Sequence, residues 1–184
     1  MPETFDAKVL GAHHALDAAG LAHAVGGAIA LGYYAVPRAT VDIDLNVFID
    51  EDHASRALAA LAALGVDTAG AEAQIARSGQ RRVMWDRTPV DLFFANLAFH
   101  EAMARSVRRV PFAGEVIPIL APEHLLVCKA LFDRQKDWLD IEQMLVSVAD
   151  LRVAEVRRWM SEIAGDDDGR TKRVDALIRE MLAR

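Results

Sequence analysis

The chain is poor in the features that mark secreted, membrane-spanning or nucleic-acid-coating proteins. A single cysteine, Cys128, occurs in 184 residues. No intrachain disulfide can form, and a reducing, cytoplasmic setting is expected. Cations are in the minority: 21 Lys and Arg against 27 Asp and Glu give a formal net charge of −6. Sequence-independent coating of nucleic acid needs many cations on phosphates and is disfavoured, although a local basic patch stays open. Met1, Pro2, Glu3, Thr4, Phe5 and Asp6 contain no basic segment leading into an apolar run, so no export signal is expected. Residues 18–37 are uncharged and nearly long enough for a bilayer, but His23, two tyrosines, four glycines and Pro37 make them a turn with a buried helix. No membrane association is expected.

Hydrophobic residues make up 53 %, enough for a real core. Val9, Leu10 and Leu16 lie on one side of a helix over residues 4–19, with Thr4 as its cap and Gly20 as its stop. Residues 22–25 suit a short buried strand. Gly26 and Gly27 break it, and a helix follows over 28–34, ended by Pro37. Residues 41–49 alternate: Val41, Ile43, Leu45, Val47 and Ile49 face one way, and Asp42, Asp44, Asn46 and Phe48 the other, the clearest strand signal in the chain. Asp50, Glu51 and Asp52 open a helix to about residue 64, where its dipole favours acids. After a loop at 65–70, strands are expected at 73–76 and 82–85 around a turn at Ser78 and Gly79. Another follows at 89–94, with Asp91 and Phe93 opposite Val90, Leu92 and Phe94. Asn96 is placed as the cap of a helix over 97–104. Ala113 and Gly114 join two strands, 107–112 and 115–120, into a hairpin. From Pro122, well suited to a first helical position, the pattern is helical at 125–132, 138–148, 153–164 and 172–182, with residues 165–169 a solvated loop. The fold class expected is α+β: a small mixed or antiparallel sheet flanked by helices (residues 1–120), then a helical C-terminal part (121–184), together one compact unit.

Asp42 and Asp44, at i and i+2, leave the same side of an otherwise apolar strand. Two carboxylates that close repel unless a cation lies between them. Hard divalent ions such as Mg²⁺ or Mn²⁺ take oxygen ligands of this kind together with substrate phosphates. Asp91 is a third carboxylate inside an apolar strand. If that strand lies beside residues 41–49, the three converge as in a two-metal centre for phosphoryl transfer. The bland alternative is an edge strand turning its acids to water. Gly26 and Gly27 precede a helix start, where a phosphate could approach exposed amides; a tight turn between buried elements explains them equally. Arg38 and Thr40 precede the acidic strand, and Arg38 could offset phosphate charge or form a surface ion pair. Lys129, Asp133, Lys136 and Asp140 recur at helical spacing with Arg134 and Asp137 beside them. A continuous helix would carry them on one face, either reaching a nucleotide or as a solvated ion-paired surface. Cys128 lies in an apolar stretch and reads as core, and the six histidines are scattered without a zinc-ligand pattern.

Taken together these residues resemble the DNA polymerase beta superfamily of nucleotidyltransferases. His23, Ala24, Val25, Gly26, Gly27 and Ala28, followed by Pro37, Arg38, Ala39, Thr40, Val41, Asp42, Ile43, Asp44 and Leu45, are similar to its first motif, a glycine pair at a helix start and a D-x-D strand. The Arg-x-Thr-x-Asp-x-Asp form is similar to that of the AbiEii and MenT-like toxin nucleotidyltransferases. Val90, Asp91, Leu92, Phe93 and Phe94 resemble the strand of the third carboxylate. Lys129, with Arg134, Lys136, Asp137 and Asp140, resembles the group's Lys…Arg-x-Lys-Asp-x-x-Asp element. The interval from Gly27 to Asp42 is longer than in the common form, and Gly27 stands where a serine is usual. The resemblance covers residues 20–145.

It implies transfer of a nucleoside monophosphate from an NTP to an acceptor with release of pyrophosphate. Asp42, Asp44 and Asp91 would be the metal ligands and catalytic carboxylates. Gly26, Gly27, Arg38, Thr40, Lys129, Lys136, Asp137 and Asp140 would bind nucleotide. The acceptor in toxin relatives is tRNA, and an antitoxin protein would then be a partner. Arg77, Arg81, Arg82 and Arg87, or Arg105, Arg108 and Arg109, are the basic stretches available to RNA. A small-molecule acceptor, as in antibiotic-modifying nucleotidyltransferases, is the enzymatic rival. A non-catalytic nucleotide- or partner-binding module is the second.

Overall fold

The computed structural model describes residues 3–183; Met1 and Pro2, the start of the segment read for an export signal, lie outside that range. The elements are α1 (Phe5–Ala18), β1 (His23–Val25), α2 (Gly27–Leu31), β2 (Ile43–Asp50), a 3₁₀ turn (Glu51–His53), α3 (Ala54–Ala62), α4 (Ala71–Ser78), β3 (Gln80–Trp85), β4 (Thr88–Ala95), α5 (Ala98–Arg105), β5 (Arg108–Phe112), β6 (Glu115–Ile119), α6 (Pro122–Phe132), α7 (Gln135–Ser147), α8 (Val153–Ala164) and α9 (Gly169–Leu182). Among the described residues the strands form one six-stranded mixed sheet in the order β3-β4-β2-β1-β6-β5. β2 with β4 and β1 with β6 are parallel, and the other pairings antiparallel. The chain therefore has the α+β class expected: a mixed sheet flanked by helices, with helices at its C-terminal end.

Residues divide into two compact units, one of residues 1–29 and 39–120, the other of 30–38 and 121–184. The first contains the whole sheet. Its core face comes from period-two alternation: Ile43, Leu45 and Val47 on β2, and Val90, Leu92 and Phe94 on β4, have almost no exposed surface. α3 and α5 pack against β2. The Thr4 hydroxyl caps α1 by accepting the Ala7 N–H. Lys8 of α1 is buried, its Nζ donating to the Trp85 carbonyl at 2.7 Å and to Asp86 at 3.0 Å. Those bonds pin α1 to the end of β3.

The second unit contains α6 to α9. Pro122 occupies the first turn of α6 as expected. Glu123 is fully buried and meets Arg152 through Nε at 3.1 Å and through its backbone N–H at 3.0 Å. Those bonds hold the Glu123 carboxyl below its ordinary value, although burial alone pushes the other way. Asp168 caps α9 from the position before it: its carboxylate accepts the Arg170 N–H at 2.8 Å.

Five local expectations are corrected. Residues 73–76 lie in helix α4, because Ala71 and Ile75 at i and i+4 bury one helical face, a pattern that four residues read as a strand hide. Asn96 does not cap α5; its side chain donates to Glu51 at 3.1 Å, and Leu97 takes the cap position without a side-chain bond. Val41 precedes β2 and is exposed rather than core-facing. Cys128 is half-buried. The fifth bears on the site: Asp42, expected on the same strand as Asp44, lies just before β2, which starts at Ile43.

Candidate active site

β2 and β4 are adjacent parallel strands with Asp44 directly opposite Asp91. β3 lies antiparallel on the other side of β4 and sets Arg82 opposite Asp91. Asp44, Asp91 and Arg82 thus form one row across three strands. Asp42 belongs to the same cluster, because one guanidinium touches both outer acids. Arg82 donates through Nε and Nη2 to the two oxygens of Asp91, at 2.8 and 2.7 Å, and its Nη2 lies 3.5 Å from Asp42 Oδ2. The Thr40 hydroxyl accepts the Asp42 N–H at 3.2 Å, fixing the segment that enters β2.

The glycine pair holds Asp44 from below. The Gly26 N–H donates to the Asp44 carbonyl at 2.8 Å, so this amide is committed to the fold rather than open to a phosphate. Gly27 has φ +54°, and a Cβ on it would fall 1.8 Å from Asp44 Oδ2. Only a residue without a side chain lets the carboxylate sit there. Serine, usual in the superfamily that the sequence resembles, would collide as the chain stands.

Charge in the cluster is offset only in part, one guanidinium standing against three carboxylates. The Asp91 hydrogen bonds raise the Arg82 pKa further above its already high value; partial burial opposes this, and the charges of Asp91, Asp42 and Asp44 reinforce it. The donor set, carboxylate oxygens beside an unobstructed glycine Cα, is chemically suited to a hard divalent ion. Among the described residues, however, no three His, Cys, Asp or Glu side chains are drawn together as a ready metal cage.

The remaining predicted residues gather in the second unit. Lys129 is buried, with Nζ 2.6 Å from Asp140 and 3.8 Å from Asp137, both of them buried too. Arg134 grips Asp137 at 2.6 and 3.1 Å, and Arg38 lies 3.4 Å from Asp140. Lys136 is exposed on the first turn of α7. Lys129, Asp133, Lys136 and Asp140 do not share the face that one continuous helix would give them: between the two helices expected here the chain turns at Asp133, which is left-handed at φ +55° and accepts the Trp138 indole N–H at 2.7 Å. The chain folds back, and Lys129 meets Asp140 across two helices instead of along one.

Arg82 is the residue that sequence reasoning did not connect to the acids, naming it only within a basic stretch available to RNA. Trp85 pairs with Thr88, so β3 and β4 form a hairpin closed by Asp86 and Arg87. Counting outward from that turn puts Arg82 opposite Asp91. The turn is marked weakly: Asp86 takes φ +52° without a glycine.

No protein-family model and no curated protein matches the sequence. Solved structures do match the fold. The solution structure of the antibiotic-resistance factor ANT(2'')-Ia superposes with a TM-score of 0.61 at 17 % identity, covering 97 % of this chain and 97 % of that one. The crystal structure of ANT(2")-Ia in complex with adenylyl-2"-tobramycin gives 0.51 at 16 % identity, covering 96 % and 94 %. Across nearly its whole length the chain shares the fold of ANT(2'')-Ia.

Proposed function

We propose that the protein is a metal-dependent nucleotidyltransferase whose centre is Asp42, Asp44 and Asp91. The observation that carries this reading is the Asp44–Asp91 register on adjacent parallel strands, with Asp42 held in the same cluster by Arg82. The nucleotidyltransferase fold supports it. Asp42, Asp44 and Asp91 would hold Mg²⁺ or Mn²⁺, which when bound supplies charge neutralisation of the triphosphate. Asp91 accepts the proton of the attacking hydroxyl. The new bond joins that oxygen to the α-phosphorus of an NTP, and the bond from α-phosphorus to pyrophosphate breaks. Gly27 keeps the approach to Asp44 free of side chain.

The acceptor we propose is a small cationic molecule rather than tRNA. Two observations favour it. A structure of the same fold holds adenylyl-2"-tobramycin. The basic stretch that the sequence offered to RNA is thinned, because Arg82 serves Asp91 and Arg81 bonds Gln74. The test is incubation with each labelled NTP, Mg²⁺ or Mn²⁺, and either an aminoglycoside panel or total RNA. Label should enter an aminoglycoside and be lost in Asp42→Asn and Asp44→Asn. Label in RNA would overturn the acceptor and restore the tRNA-directed toxin reading with its antitoxin partner. Unchanged turnover in both variants would overturn the centre, and nucleotide binding without pyrophosphate release would mark a non-catalytic module.

A further inference from the structure

We propose that Arg82 is an internal cation that occupies the carboxylate centre before a divalent ion does, so that metal loading is an exchange in which the guanidinium leaves Asp91. The inference rests on the metal-dependent reading above and adds a residue to it. Strand register sets Asp44 opposite Asp91, Asp42 stands at the entry to β2, and carboxylates this near repel one another. Arg82 relieves that repulsion with a two-point grip on both oxygens of Asp91 and a reach to Asp42. The fork takes one lone pair on each Asp91 oxygen, and a divalent ion placed among the same acids would meet a fixed positive charge. The two cations therefore compete for one set of oxygens.

The placement of Arg82 permits the exchange. Its side chain is 56 % exposed, whereas that of Asp91 is 20 % exposed. It stands on β3, the edge strand of the sheet. A flexible stem on an exposed edge can swing outward without disturbing the core, while the acids stay anchored on β4 and at the entry to β2. Once released, the guanidinium lies beside the centre, where phosphate charge would arrive with a nucleotide, and a planar fork suits phosphate as well as carboxylate. Arg82 is thus a positioning residue: it keeps the acids assembled when no metal is bound and gives them up when one is.

The experiment is titration of the full chain with Mn²⁺ alone, following free Mn²⁺ by electron paramagnetic resonance, for the wild type, Arg82→Gln and Arg82→Lys. Arg82→Gln should bind Mn²⁺ about tenfold more tightly, equivalent to removing roughly one pKa unit's worth of competing interaction. Arg82→Lys, which keeps the charge and loses the fork, should fall between. Without metal, Arg82→Gln should melt below the wild type and gain more in Tm when Mn²⁺ is added. Equal or weaker Mn²⁺ binding in a folded Arg82→Gln, with wild-type binding intact, overturns the exchange and leaves the metal-dependent reading standing. Absence of Mn²⁺ binding in all three proteins overturns both. If Arg82→Gln does not fold, Arg82→Lys decides: tighter binding than the wild type supports the exchange, and equal or weaker binding overturns it.

Discussion

Gly27 shows how much one absent side chain contributes to the centre. Its φ of +54° and the 1.8 Å approach to Asp44 Oδ2 are separate demands. Gly27→Ala violates both and should cost on the order of 2 kcal/mol in urea unfolding, while displacing Asp44 enough to lower NTP turnover about 100-fold. Gly20 supplies the control. It has φ +65°, and nothing lies within 4 Å of where a methyl group would stand, so Gly20→Ala should lose a similar backbone increment and leave turnover unchanged. The strand positions of Asp44 and Asp91 were legible from alternation, whereas Asp42, read on the same strand, lies just before it. Arg82 was not, because its meaning depends on a hairpin register set by a turn without glycine.

At the scale of elements, the α6–α7 corner is the clearest case of local chemistry overriding a pattern. Asp133 both tolerates the left-handed conformation and accepts the Trp138 indole N–H. Asp133→Asn keeps both properties and should be close to neutral. Asp133→Ala loses both and should destabilise by about 1–2 kcal/mol. The corner brings Lys129 to Asp140 and Asp137. Lys129→Met would leave two buried carboxylates without their shared ammonium, and a loss of about 3–5 kcal/mol is expected in denaturant titration. That cost separates a folding role for Lys129 from the nucleotide contact its spacing suggested: a folded Lys129→Met with weakened NTP affinity and intact stability would reverse the assignment. Helices α1, α6 and α8 were readable from periodicity, helped by the Thr4 cap in the first and Pro122 in the second, as was the β5–β6 hairpin, whose Ala113 and Gly114 both take positive φ. α4 was not, because only Ala71 and Ile75 mark its buried face, and Ser78 and Gly79 read as a turn between two strands.

Across the whole molecule, buried histidines set the response to acid. His13 and His23 lie side by side, Nδ1 to Nε2 at 2.8 Å. Burial, the first cause, lowers the pKa of each; Arg109 lowers both further, the neighbouring histidines act on His13, and Asp17 raises both. Burial also lowers His100, against Glu51, and His124, against Glu155 and Glu123. Each is therefore neutral in the fold at a pH where the unfolded chain, titrating near 6.5, already takes up protons. Stability from these groups is complete above about pH 6.5 and is lost as pH falls below it. Urea midpoints should drop between about pH 7.5 and 5.5, and a flat profile would contradict the burial of these rings. The overall class, a mixed sheet with helices after it, was legible because alternation and helical period separate cleanly along the chain. The grouping of residues 30–38 was not, since no local signal says which distant segment a short helix end and loop will join.

That grouping has a consequence for how the protein is made. The chain passes between its two units three times, after residues 29, 38 and 120. Ala30 and Leu31 have no exposed surface, and Tyr34 is almost buried. On the ribosome these residues emerge early, yet the segment they group with begins only at residue 121 and is synthesised after the whole sheet. A stop codon after Leu120 would leave an apolar stretch permanently waiting for it, and a gene fusion that exchanges the C-terminal helices must carry residues 30–38 along.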